Sequence, residues 1–169
     1  HGKAFGSIKC YQSPSLATRG NNHVFVVLLL HEFSRKRCPF LSEQNGFCHV
    51  NASQLTAQIK SYTNVTSGDA EALKLALFKN GPVAVSIDAG HRSFVFYSHG
   101  VYYEPACGNT TADLDHAVLA VGYGTLNQEP YWLVKNSWST YWGNDGYILM
   151  SMKDNNCGVT TDATYVTLA

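Results

Sequence analysis

The chain has 169 residues, enough for one domain or one domain with an extra arm, and folding would bury about two-thirds of its extended surface. Twelve Lys+Arg balance twelve Asp+Glu, so no basic stripe points to nucleic acid and no acidic tail points to a basic partner. The composition is globular, 45% apolar, and the longest apolar run, residues 23–30, is too short to cross a bilayer.

The first fifty residues have no steady period. They hold a loop-like stretch at 13–22, the apolar run, and a basic knot, Arg35-Lys36-Arg37. No charged-then-apolar leader with a small-residue cleavage site opens the chain, and the first residue is His1 rather than Met, so a fragment or processed product is expected. From residue 50 onward the pattern is regular. The stretch 69–79 predicts a helix: Ser67 or Asp69 can cap it, Ala70, Leu73, Ala76 and Leu77 share one face, and Gly81-Pro82 ends it. Strands are then predicted at 83–87, 100–103, 117–123, 131–135, 147–150 and 164–168, all rich in Val, Ile, Tyr and Trp. One helix followed by short strands in series indicates an α+β fold with a curled antiparallel sheet or barrel.

Five cysteines, Cys10, Cys38, Cys48, Cys107 and Cys157, leave at least one unpaired within the chain. Three glycosylation sequons begin at Asn51, Asn64 and Asn109. Together they favour a lysosomal or secreted, extracellular compartment over the cytosol. The seven histidines show no metal-ligand spacing and no phosphate loop is present, so neither a metal nor a cofactor is implied.

Two segments carry chemistry: Leu114-Asp115-His116-Ala117-Val118, and Asn136-Ser137-Trp138 at the end of a Tyr-Trp-Leu-Val-Lys run. A histidine at the mouth of a buried strand can exchange protons near neutral pH. An asparagine on a neighbouring strand can accept from one ring nitrogen and leave the other facing a nucleophile. Trp138, two residues on and on the same side of a strand, would shield that bond from water. Taken singly, each reads as structural: a histidine satisfied in the core, an Asn-Ser turn.

In this order, with Gly81–Ala89, Phe96–Tyr103 and Asn156-Cys157-Gly158 around them, these segments resemble the papain-like cysteine proteases, of the cathepsin L-type branch. The resemblance covers about residues 45–169. It implies the papain-like fold, mainly its β-barrel lobe with one flanking helix, over residues 40–169. Residues 1–39 are left unmatched or vestigial. It implies His116 as catalytic base and acid, Asn136 as its orienting partner and Trp138 as their cover. Ala89, Leu114, Asp115, Ala117 and Asp162 would bind substrate, and Cys107 would pair with Cys157. Cys48 matches a cysteine whose partner lies upstream.

The family nucleophile sits in a Cys-Gly-Ser-Cys-Trp segment roughly 130–150 residues ahead of its His and Asn. Cys10 precedes His116 by 106 residues and Cys38 by 78, and neither has those neighbours. The nucleophile is therefore expected upstream of His1, with most of the helical lobe. Two function classes follow: a thiol endopeptidase acting on peptides or proteins, here inactive alone, or a non-catalytic homologue that binds substrates, the missing lobe or protein inhibitors.

Overall fold

The computed structural model describes residues 59–169, which lie within the second of two compact units, Gln58–Ala169. The expectations for residues 1–39, for Cys10, Cys38 and Cys48, and for Asn51 lie outside the described residues. The elements in chain order are β1 (Ile59–Asn64), α1 (Ala70–Asn80), β2 (Val83–Ile87), α2 (Arg92–Val95), β3 (Val101–Tyr102), β4 (His116–Leu126), β5 (Glu129–Lys135), β6 (Tyr147–Ser151), a kinked 3-10 segment (Lys153–Gly158) and β7 (Ala163–Leu168).

Local chemistry sets the ends of α1. Asp69, with extended backbone, accepts the Ala72 N–H at 2.9 Å and so satisfies one orphan donor of the first turn. Ser67 takes no part; its hydroxyl donates to the Thr161 carbonyl. Gly81 closes the helix at φ 85°, a left-handed value that suits glycine, and its N–H donates to the Leu77 carbonyl. Leu73, Ala76 and Leu77 are buried, with Ala70 packed against them.

The strands form one seven-stranded sheet in the order β1-β7-β2-β4-β5-β6-β3. Of the curled sheet or barrel expected from the sequence, the described residues form the open sheet: β1 pairs with β7, β3 pairs with β6, and these edges do not meet among them. Nor is the sheet wholly antiparallel, since β3 lies parallel to β6. With only two residues, β3 is too short to carry a ladder further.

The register builds the core. Val83 pairs with Ala120, Ala120 with Val134, and Val134 with Ile148, so four fully buried side chains stand abreast on four strands. Strands β4 and β5 join through Asn127 and Gln128, both left-handed (φ 51° and 69°), the two-residue turn that right-twisted hairpins favour. A bulge between Ala120 and Gly122 then shifts the register. Cys107 and Cys157, 50 residues apart, are bonded to each other as the resemblance implied. Removing such a bond costs about 2–4 kcal/mol.

Candidate active site

The alternation that buries the core runs straight into the polar pair. On β4 the inward positions are Ala120, Val118 and, at the strand's first residue, His116. On β5 they are Trp132 and Val134, and Asn136 continues the series one residue past the strand, 7% exposed. Extending the Leu119–Lys135 pairing sets Asn136 across from Val118 and Trp138 across from His116. The Asn136 N–H donates to the Gly146 carbonyl, which holds the end of β5 to the start of β6.

Nε2 of His116 lies 2.8 Å from Asn136 Oδ1. The Ser137 backbone N–H donates to the same oxygen at 2.8 Å. A backbone N–H can only donate, so the amide atom it meets is the oxygen. An amide oxygen can only accept, so Nε2 carries the hydrogen. A neutral imidazole has one N–H, and Nδ1 therefore keeps its lone pair, without a partner among the described residues. This orientation buries Asn136 Nδ2 without a hydrogen bond among those residues, a cost of about 1–3 kcal/mol; turning the amide would instead set its NH2 against the Ser137 N–H, donor against donor, and bury the oxygen unpaired.

Burial holds the His116 pKa below the ordinary histidine value, while the Asn136 hydrogen bond and the Asp115 carboxylate pull it upward. With its pKa held below the ordinary value near 6.5, the ring is mostly neutral at pH 7.

Aromatic rings enclose this pair. Trp138 lies over the imidazole with centroids 5.2 Å apart and planes tilted by 35°. It is not on a strand, as the sequence suggested; β5 ends at Lys135 and Trp138 sits in the loop beyond, 38% exposed. Phe94, fully buried, lies nearly perpendicular to the rings of His116 and Trp138, with centroids 6.3 Å and 5.5 Å away. Trp142 stacks beside Phe94 and donates its indole N–H to the Val95 carbonyl, tying the loop to α2. Sequence reading missed Phe94 because a four-residue helix gives no period to read.

The expected substrate residues fall into two groups. Asp115 donates its N–H to the Ile87 carbonyl and accepts the Ala89 N–H on Oδ1, so its carboxylate joins the end of β2 to the start of β4. Ala89 itself belongs to the buried core. Ala117 pairs with Ser86, and the Ser86 N–H donates to the Asp162 carbonyl, which sets Ala117, Ser86 and Asp162 abreast across three chain segments. The Ser86 hydroxyl donates to Asp162 Oδ2 at 3.2 Å. Ser86 was not among the expected residues: a serine alternating with Val85 and Ile87 reads only as the less buried face of a strand. Leu114 is half-buried against Gly158, where a Cβ would run into it and where φ is 77°.

Asp88, His91 and Cys107 bring three potential ligand atoms within 4.8 Å of one another. The Cys107 sulfur is in the disulfide, and the Asp88 carboxylate accepts from Gly90, Gly108 and His91. This cluster pins the loop after β2 rather than offering open ligands.

The model of the papain family cysteine proteases matches residues 21–167, a span that begins ahead of the boundary at residue 40 expected from sequence. A cathepsin L-like peptidase of Aedes aegypti is 56% identical over 120 residues, which is 70% of this chain and 35% of that protein. Digestive cysteine proteinase 2 of Homarus americanus is 50% identical over 123 residues, 72% of this chain and 38% of its own. The solved structure of digestive procathepsin L2 proteinase from Tenebrio molitor larval midgut superposes with a TM-score of 0.74 at 36% identity, over 86% of this chain and 46% of that one. The chain thus spans between about a third and a half of the proteins it matches. Its antiparallel core strands, its His116–Asn136 pair and a family match over most of its length point one way: the chain belongs to the papain family of cysteine proteases.

Proposed function

We propose that the chain is the histidine-and-asparagine lobe of a cysteine-type endopeptidase, with His116 as proton acceptor and donor and Asn136 as the residue that orients it. The observation that carries this reading is the locked tautomer: Asn136, itself fixed by the Ser137 N–H, holds Nε2–H and leaves the Nδ1 lone pair open. In such chemistry a thiol gives its proton to imidazole and the thiolate attacks the scissile carbonyl. The imidazolium then returns the proton to the leaving amine. Trp138 and Phe94 keep water from the Nε2 bond.

The 169 residues contain no Cys-Gly-Ser-Cys-Trp segment, and we take the nucleophile to belong to residues outside this chain. The chain alone is then inactive, its proposed partners being the helical lobe, peptide or protein substrates, and protein inhibitors. A lysosomal or secreted location agrees with its disulfide. Asp115 would offer its backbone carbonyl to the substrate main chain. Leu114, Ala117 and Asp162, with Ala89, would line the pocket for the second residue before the cut, and the Asp162 carboxylate would accept Arg or Lys there.

The test compares the purified chain with a full-length form that restores the upstream residues. The chain alone should neither hydrolyse peptides nor be labelled by a thiol-directed epoxide. The full-length form should do both, and lose hydrolysis on His116→Ala. Thiol-dependent turnover by the 169-residue chain would force a nucleophile role onto Cys10 or Cys38. A full-length form that binds peptides without cutting them would favour the non-catalytic homologue. On the active form, an Arg-to-Leu preference unchanged by Asp162→Ala would remove Asp162 from the pocket.

A further inference from the structure

We propose that Asn64 carries an N-linked sugar whose first N-acetylglucosamine lies in the groove between α1 and the β1–β7 edge. Asn64 is the last residue of β1, exposed, and opens the sequon Asn64-Val65-Thr66. The buried Thr164 hydroxyl across the strand pair donates to Asn64 Oδ1 at 2.9 Å, and Nδ2 has no partner among the described residues. Nδ2 is the atom that glycosylation modifies. Asn109, the other described sequon asparagine, differs here: its amide nitrogen already donates to the Asp154 carbonyl.

The groove starts at the modified residue. It holds about 300 Å³ and is lined by Asn64, Val65, Leu75, Lys79 and Tyr165, among others. That is the low end for a small-molecule site and suits one sugar ring rather than an extended chain. The lining is amphipathic, like a sugar: Leu75 and the Tyr165 ring offer apolar surface, while Lys79 and Asn80 supply polar atoms. Leu75 is 52% exposed, an apolar surface that a tethered sugar would shield. The Cys107–Cys157 bond is an independent sign of the oxidising compartment in which glycosylation occurs.

In the transfer, the Asn64 Nδ2–C1 bond forms as the C1–O bond to a lipid-diphosphate-linked oligosaccharide breaks. The diphosphate leaves with the electron pair, and the amide gives up one proton. The inference does not depend on the proteolytic reading, since the groove holds none of the residues proposed for it.

The experiment expresses the full chain in a secreting eukaryotic host and maps its peptides by mass. An endoglycosidase that spares the first sugar then gives a trimmed protein to compare with Thr66→Ala. That variant lacks the sequon yet keeps Asn64 and Thr164; because it also trims Thr66, itself part of the groove lining, Thr66→Ser, which keeps the sequon, is run beside it as the control for side-chain loss. The peptide bearing Asn64 should carry N-acetylhexosamine, and Thr66→Ala should lose it completely. In hydrogen exchange, the second half of α1 and the backbone around Tyr165 should be protected in the trimmed protein and lose that protection in Thr66→Ala. An unmodified Asn64 overturns the proposal. A modified Asn64 with identical exchange in the two proteins overturns the seating of the sugar.

Discussion

Two corners of the sheet are built by different means. At α1 the structure is local. A cap three residues from its donor and a glycine at the last turn define the helix, and its buried residues follow helical spacing. Around His116 the structure is assembled from afar: Phe94 comes from α2, Trp138 and Trp142 from the loop after β5, and the asparagine from the end of β5. The first corner tolerates single losses because each contact is worth little alone. The second concentrates its contacts on one buried ring, so a single loss should reach the candidate site.

Substitution sharpens this contrast. Phe94→Ala should be the most damaging change, about 3–5 kcal/mol by urea unfolding, because it empties the space behind His116. An effect below that of a helix-cap loss would break the contrast. Next comes the double change Cys107→Ala with Cys157→Ala, about 2–4 kcal/mol by the same measurement, since it frees the loop before β4 from the segment before β7. Asp69→Ala should cost about 1 kcal/mol through the lost cap and leave the imidazole resonances of His116 in place in NMR spectra.

The smallest effect expected is on pH dependence. The folded His116 resists protonation, so its pKa lies below the ordinary value near 6.5. As pH falls through about 6.5 the unfolded chain binds a proton that the folded chain refuses, so stability drops, then levels off below the folded pKa. His116→Gln should flatten that slope in urea titrations at stepped pH. Asp115→Asn, which removes a charge that favours imidazolium, should lower the His116 midpoint further in an NMR titration.

What the sequence makes legible follows the same division. The helix predicted at 69–79 is observed at Ala70–Asn80, and the strand at 83–87 matches β2, because a cap and a run rich in β-branched residues after Gly81-Pro82 are local signals. His116 and Asn136 read as structural when taken singly, and only the resemblance to the papain-like proteases singles them out; the structure sets each at the end of a period-two series of buried residues. Strand β1 was not legible: Ile59–Asn64 is exposed at five of six positions and owes its form to pairing with β7, so no alternation marks it. The 3-10 segment at Lys153–Gly158 hides for another reason. Three of its non-glycine residues, Asp154, Asn155 and Cys157, adopt left-handed backbone held by the disulfide and by Asn155 and Asn156 hydrogen bonds. Ser86 was missed because only the register of three segments shows it between Ala117 and Asp162.

The turn at Asn127–Gln128 has a consequence at the opposite end of its hairpin. Leu126 and Glu129 are the first rung of a ladder whose continuation seats Asn136 beside His116, with one bulge on the way. The hairpin acts as a ruler whose zero is the turn. Adding one residue there would slide every rung of β5, and a slide of one exchanges the two faces of a strand. Asn136 would then face outward, and Lys135 or Ser137 would stand where the imidazole needs an acceptor. A length change at an exposed loop, roughly ten residues from the ring and touching none of its contacts, would thus erase the pair unless a second bulge absorbed it.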